Sequence, residues 1–166
     1  YAVFNREPDI EFTGDRLVTT FHYDLATEPR SYCDVTYVVT GDGKVTMTMK
    51  YLPGDGLSEM PEFGMMFKIP KEYGHLRWYG LGPQETYADR KQGARLGIYE
   101  NEVSDNLAKY LVPQESGNHE GVRFAEITDR RGCGLRITGD GINVSALPWT
   151  PHELENAAHA YELPPV

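Results

Sequence analysis

Two runs of alternating residues meeting at a tight turn constrain this chain more than any other feature. Cys33, Val35, Tyr37 and Val39 alternate with Asp34, Thr36 and Val38, and Val45, Met47, Met49 and Tyr51 alternate with Thr46, Thr48 and Lys50. A period of two is that of a strand with one buried side. Between the runs lies Thr40-Gly41-Asp42-Gly43-Lys44, with Asp-Gly at its centre, which specifies a hairpin turn. The apolar side must bury against something, and threonines cover the other.

The rest of the chain repeats this pattern. Leu17 to Tyr23, Phe63 to Ile69 and Leu76 to Tyr79 read as strands, as do Val122 to Thr128, Leu135 to Thr138 and Ile142 to Leu147. Turn residues separate them, among them Gly139-Asp140-Gly141. Residues 1–16 read as irregular, with one turn at Thr13-Gly14-Asp15, and Pro53 to Glu62 as a loop. Asp89 to Leu96 is expected to form a short helix ended by Gly97, and residues 98–121 to wrap the surface, held by Tyr99, Tyr110 and Val112. Thr150-Pro151-His152-Glu153 opens a longer helix with a capping box and proline at its first position. Leu154, Ala157, Ala158 and Tyr161 would form its apolar face, and it should stop before Pro164. Many strands and little helix predict an all-β sandwich, and 166 residues predict a single domain over residues 1–166.

A net charge of −9 argues against a nucleic-acid surface and against attraction to anionic membranes. An acidic surface suits a neutral ligand such as a sugar, or solubility alone. Cys33 and Cys133 stand far apart and outside any C-x-x-C pattern, so both read as free thiols. No apolar run is long enough to span a membrane. The chain opens Tyr1-Ala2-Val3 and closes Leu163-Pro164-Pro165-Val166, and both ends read as cut from something longer. A signal peptide on a parent chain would be out of sight, so the compartment, cytoplasmic or periplasmic, is open.

The densest chemistry lies in Trp78-Tyr79-Gly80-Leu81-Gly82-Pro83-Gln84-Glu85-Thr86-Tyr87-Ala88-Asp89-Arg90. A strand end, two glycines and a proline predict a sharp corner, followed by carboxylates and an arginine within one or two turns. Glu85, Asp89 and Glu115 are the candidate carboxylates, with Arg90 and Arg123 as partners. Carboxylates so close together could form a pair for acid/base chemistry, but a carboxylate paired with arginine suits neither a general acid nor a switching acid/base. Glu85, Tyr87, Asp89, Arg90, Glu115 and Arg123 are therefore expected to form a structural network with no catalytic residue. If that network is buried, loss of one partner costs about 3–5 kcal/mol. His152 and His159, seven apart on the expected helix, lack an H-E-x-x-H pattern and read as structural rather than metal ligands. Gly80-x-Gly82 is no dinucleotide fingerprint, and no G-x-S-x-G elbow or P-loop occurs. Trp78 reads as core. Trp149, between Pro148 and Thr150, is the candidate exposed aromatic for stacking on a sugar.

The corner resembles the W-x-G-x-G-P-x-E-x-Y-x-D-R segment in the C-terminal domain of large β-galactosidases of glycoside hydrolase family 2. Pro113-Gln114-Glu115-Ser116-Gly117 with Gly121-Val122-Arg123 resembles that domain's P-x-E-x-G…G-x-R segment, and Asn143-Val144-Ser145 and Glu153-Leu154 through His159 continue the likeness. Several motifs in one order are far more specific than any alone. The resemblance implies the supersandwich shared with galactose mutarotase, here truncated at both ends and carrying one C-terminal helix. It implies a parent that hydrolyses terminal β-D-galactosides through a galactosyl-enzyme, with its catalytic glutamates on a separate barrel. This segment would hold no cofactor and no recognised metal ligand. It would shape the mouth of the site and pack against the parent's barrel and against neighbouring subunits of a homo-oligomer. The family's tryptophan contact to sugar, from a strand after the helix, falls beyond Val166. A stand-alone carbohydrate-binding module and a pure interaction domain are the alternatives, since fold alone does not give function.

Overall fold

A computed structural model describes residues 3, 4, 6–60 and 62–165, with side chains from Arg6 onward. What the sequence suggests for residues 1, 2, 5, 61 and 166 lies outside the described residues. The chain forms two compact units, Tyr1–Met65 and Met66–Val166.

In the first unit the expected hairpin is present as β4 (Ser31–Thr40) and β5 (Val45–Leu52), with Gly43 at a φ of 83° in its turn. The preceding strand, β3 (Arg16–Leu25), pairs antiparallel with β4 along its whole length. The region expected to be irregular instead supplies β1 (Val3–Phe4) and β2 (Asp9–Thr13), which pair with successive stretches of one edge of β3. Their short sequences carry too little alternation to announce them. One face of the sheet is apolar and buries Cys33 and Val35, and Phe21 meets Tyr37 edge-on at 6.0 Å. On the other face Thr20 and Thr36 hydrogen-bond across the strands at 2.9 Å. The two cysteines are free, Cys33 buried and Cys133 exposed.

The second unit is built on β6 (His75–Gly82), β7 (Arg95–Glu102), β8 (Asn118–Thr128) and β9 (Gly134–Ser145), in spatial order β7-β6-β8-β9 and antiparallel throughout. Leu76, Trp78, Val122, Ala125, Ile127 and Ala146 form its buried core, each larger side chain contributing roughly 1.5–3 kcal/mol by leaving water. The Trp78 indole N–H donates to the Leu81 carbonyl at 3.0 Å, so the ring is buried without an orphaned donor.

Several expectations give way here. Phe63 to Ile69 forms no strand; Phe63, Met65 and Phe67 are exposed, because their alternation finds no ladder partner among the described residues. Asp89 to Leu96 is not helical. Tyr87 and Arg90 close a tight turn through reciprocal backbone bonds, Gly93 takes a φ of 95°, and β7 begins at Arg95. The surface wrap thus begins only after β7, with a 3₁₀ turn at Val103–Asn106, and Val112 is exposed rather than an anchor. Gly139-Asp140-Gly141 is no hairpin turn. It is a bulge inside β9 facing a second irregularity at Gly121, and Gly121 and Gly141 hold φ values of 63° and 71°. The C-terminal helix α1 spans only Pro151–Asn156. Its expected capping box is intact, with Glu153 N–H donating to Thr150 Oγ1 at 3.2 Å. Leu154 and Ala157 are buried, but Ala158 and Tyr161 are exposed, because the helix ends before they could share its face. Two antiparallel sheets, one short α-helix and no closed barrel among the described residues are the elements of the all-β sandwich that the strand pattern predicted.

The glycines of the corner have a different reason from the one their sequence suggests. Gly80 and Gly82 lie within β6 rather than in a turn. A Cβ on Gly80 would stand 2.8 Å from Val122 Cγ2 and 3.1 Å from Val122 Cα, and one on Gly82 would stand 2.6 Å from the Tyr99 ring. They are glycine because neighbouring strands and a tyrosine approach too closely for a side chain. Gly80→Ala should therefore destabilise the chain by about 1–3 kcal/mol. Gly64→Ala, where a Cβ meets nothing within 4 Å, should stay within about 0.5 kcal/mol, and paired urea melts would show the contrast.

Candidate functional site

The corner beyond β6 is held by a residue whose role its type does not reveal. Thr86 is buried, and its amide donates to the Asn118 carbonyl at 2.6 Å. Its carbonyl accepts from Asn118 Nδ2 at 2.7 Å, and its hydroxyl accepts from the Glu120 amide at 2.8 Å. Three bonds thus sew residue 86 to the start of β8. Behind this clamp the buried polar groups continue. Asn101 Nδ2 donates to Asn106 Oδ1 at 2.6 Å, Asn106 Nδ2 donates to the Ala146 carbonyl at 2.9 Å, and Ser116 Oγ accepts from the Ala108 amide at 3.1 Å.

The clamp positions Glu85. One carboxylate oxygen accepts from the Tyr110 hydroxyl at 2.7 Å and lies 3.1 Å from Arg90; the other accepts from the Gly117 amide at 2.7 Å. Both carboxylate oxygens thus have donors from within the chain. The Arg90 guanidinium stacks 4.5 Å over the Tyr87 ring and 5.7 Å from that of Tyr110. Burial first, and then the Glu85 charge, push the Tyr87 hydroxyl up to about 12.

Of the residues singled out in sequence, the structure brings Glu85, Tyr87 and Arg90 together and places the Glu115 charge where it acts on Tyr87. Arg123 lies elsewhere, donating to the Gly121 carbonyl at 2.7 Å with its guanidinium 5.5 Å over Tyr79. Asp89 is exposed. The side chain of Arg90 is 47% exposed against 20% for Glu85, so the ion pair itself is worth about 0–1 kcal/mol rather than the cost of a buried charge pair. Trp149 is half-buried, its indole N–H donating to the Pro164 carbonyl at 2.8 Å. His159 lies past the end of α1, not on one helical face with His152; it stacks on Tyr161 at 5.1 Å and contacts Glu162. Among the described residues no group of three or more His, Cys, Asp or Glu is arranged to hold a metal.

Two histidines escaped the sequence reading. His119 is 2% exposed and stacks on Trp78 with ring centroids 3.9 Å apart. Neither ring nitrogen closes a well-formed hydrogen bond. Burial dominates and holds its pKa down to about 4, against the opposing pull of the Glu85 charge and the Leu81 carbonyl. In the first unit His22 lies between two aspartates, Nδ1 2.6 Å from Asp34 and Nε2 3.0 Å from Asp9, with Arg6 2.7 Å from Nε2. Its pKa is raised, chiefly by Asp34 and then by Asp9.

A sequence profile of the β-galactosidase small chain family matches residues 4–166, and the chain belongs to that family. It is 40% identical over 163 residues to a β-galactosidase of Halalkalibacterium halodurans, covering 95% of this chain and 16% of that protein. It is 45% identical over 152 residues to a β-galactosidase of Bifidobacterium adolescentis, covering 87% of this chain and 14% of the relative. A β-galactosidase small subunit of Latilactobacillus sakei is 30% identical over 164 residues, covering 92% of this chain and 51% of that subunit. The chain thus corresponds to a domain of a β-galactosidase and spans about a sixth of the larger relatives.

His119 gives the site a pH signature. A base whose folded pKa lies near 4, against an ordinary 6.5, leaves stability untouched above the ordinary value. As pH falls from there toward 4 the unfolded chain takes up a proton that the folded chain refuses, and up to about 3 kcal/mol is lost. His119→Phe keeps an aromatic ring against Trp78 and removes this titration. Its unfolding free energy should fall less steeply than that of the parent sequence across this window, as urea melts at successive pH values would read.

Proposed function

We infer that this chain is a non-catalytic part of a β-galactosidase that hydrolyses terminal β-D-galactosides, shaping the mouth of the active site and supporting the packing of the barrel and of neighbouring subunits. The observation that carries this reading is the Glu85 carboxylate, whose two oxygens are taken by Tyr110, Arg90 and the Gly117 amide. A group so engaged braces the fold; it does not shuttle protons. The family supports the same reading, because the larger relatives contain far more chain than this segment and a relative named as a small subunit exists as its own protein. The partner is the remainder of the β-galactosidase, and through it a second copy in a symmetric oligomer. The apolar face of the first unit suits such packing. Phe12, Leu17, Val39 and Val45 stand side by side across four strands, as do Ile10, Thr19, Tyr37 and Met47, and Ile10, Phe12, Val45 and Met47 are exposed. Apolar rows of that extent mark contact surfaces.

The experiment is a chromogenic β-galactoside assay of the chain alone, of the rest of its parent alone, and of the two mixed. Neither part alone should turn over substrate above buffer, and mixing should restore hydrolysis. Turnover by the chain alone that is abolished in Glu85→Gln would assign Glu85 a catalytic role and contradict the reading.

A further inference from the structure

The polar face of the first unit's sheet carries a feature that the Glu85 corner does not use. The strand registers set His22 opposite Asp34, Asp24 opposite Tyr32, and Tyr32 opposite Leu52. These side chains, with Arg6, line an open depression of about 450 Å³, within the ~300–1,000 Å³ range of small-ligand sites. Its polar groups already have partners within the chain. His22 contacts Asp34 at 2.6 Å, and Arg6 pairs with Asp9 at 3.2 Å. Asp24 is within 3.8 Å of Arg30. Groups already ordered lose less freedom on binding.

The lining selects among ligand classes. It combines one arginine, one histidine and two aspartates, so an anion would meet the carboxylates and a cation would meet Arg6. A hydroxyl both donates and accepts, so a polyol uses both signs at once: Arg6 donates to it, and Asp24 and Asp34 accept from it. Tyr32, 40% exposed, and Leu52, 38% exposed, supply the apolar contact that the C–H face of a sugar ring requires. We propose that this depression on β3, β4 and β5 is a saccharide-binding site for a neutral pyranose. It stands beyond the supporting role inferred above and needs no catalytic activity to be tested.

The test is a two-dimensional amide NMR titration of the full 166-residue chain with galactose and lactose, and with sodium phosphate and sodium acetate in parallel. The sugars should give saturable shifts at roughly millimolar affinity, concentrated at residues 22–24, 32–34 and 52. Tyr32→Ala should weaken binding about three- to tenfold and Asp24→Asn should weaken it as well, with spectra otherwise unchanged. Tyr161→Ala, at an exposed aromatic of the second unit, should bind as the parent sequence does. Absence of saturable sugar shifts, shifts centred on other residues, equal shifts from phosphate or acetate, or undiminished affinity in both Tyr32→Ala and Asp24→Asn would each overturn the proposal.

Discussion

Three hydrogen bonds between Thr86 and the Asn118–Glu120 segment decide where the corner after β6 lies. Thr86 and Asn118 are buried, and a buried donor or acceptor stripped of its partner costs about 1–3 kcal/mol. The backbone there is consequently confined to one geometry, and the groups that hang from it inherit that geometry. Glu85 meets the Gly117 amide and the Tyr110 hydroxyl, and Arg90 returns over Tyr87 through the short turn they share. The charged residues decorate an arrangement that neutral groups impose.

The same strand explains the glycines and the buried aromatic stack. Gly80 lets Val122 approach β6, Gly82 accepts the Tyr99 ring, and Trp78 lies between Tyr99 at 5.5 Å and His119 at 3.9 Å. A side chain at Gly82 would press on the Tyr99 and Trp78 rings, and one at Gly80 would force Val122 and the β8 backbone away. The neutral imidazole of His119 is a consequence of that packing: it contributes as a flat ring, and protonating it would place a charge among apolar neighbours.

Much of this was legible in the sequence where the signal was local. The β4–β5 hairpin announces itself through alternation and Asp-Gly, and the α1 cap through Thr150, Pro151 and Glu153. The resemblance to β-galactosidases rested on ordered motifs, and the family match covers the same chain. The rest was hidden for physical reasons. In β7 the inward positions are Gly97, Tyr99 and Asn101 while Leu96 and Ile98 are exposed, so its hydrophobic pattern is inverted. The partners of Glu85 include a backbone amide 32 residues away, which no residue type advertises. Thr86 and Asn118 look like ordinary loop residues until the fold brings them together. His22 sits among threonines in a strand, and only the cross-strand register reveals the two aspartates beside it.

If the corner is a structural brace rather than a mobile catalytic loop, its amides must open only when the sheet opens. Native-state hydrogen exchange on Thr86, Gly117 and Glu120 measures this directly, because the exchange rate of an amide bonded within the clamp reports the free energy of opening it. The account predicts protection equal to that of the β6 and β8 ladder amides around Trp78 and Ala125. Exchange as fast as that of the exposed loop near Leu111 would show that the clamp opens on its own, and would contradict the claim that Thr86 and Asn118 fix the corner.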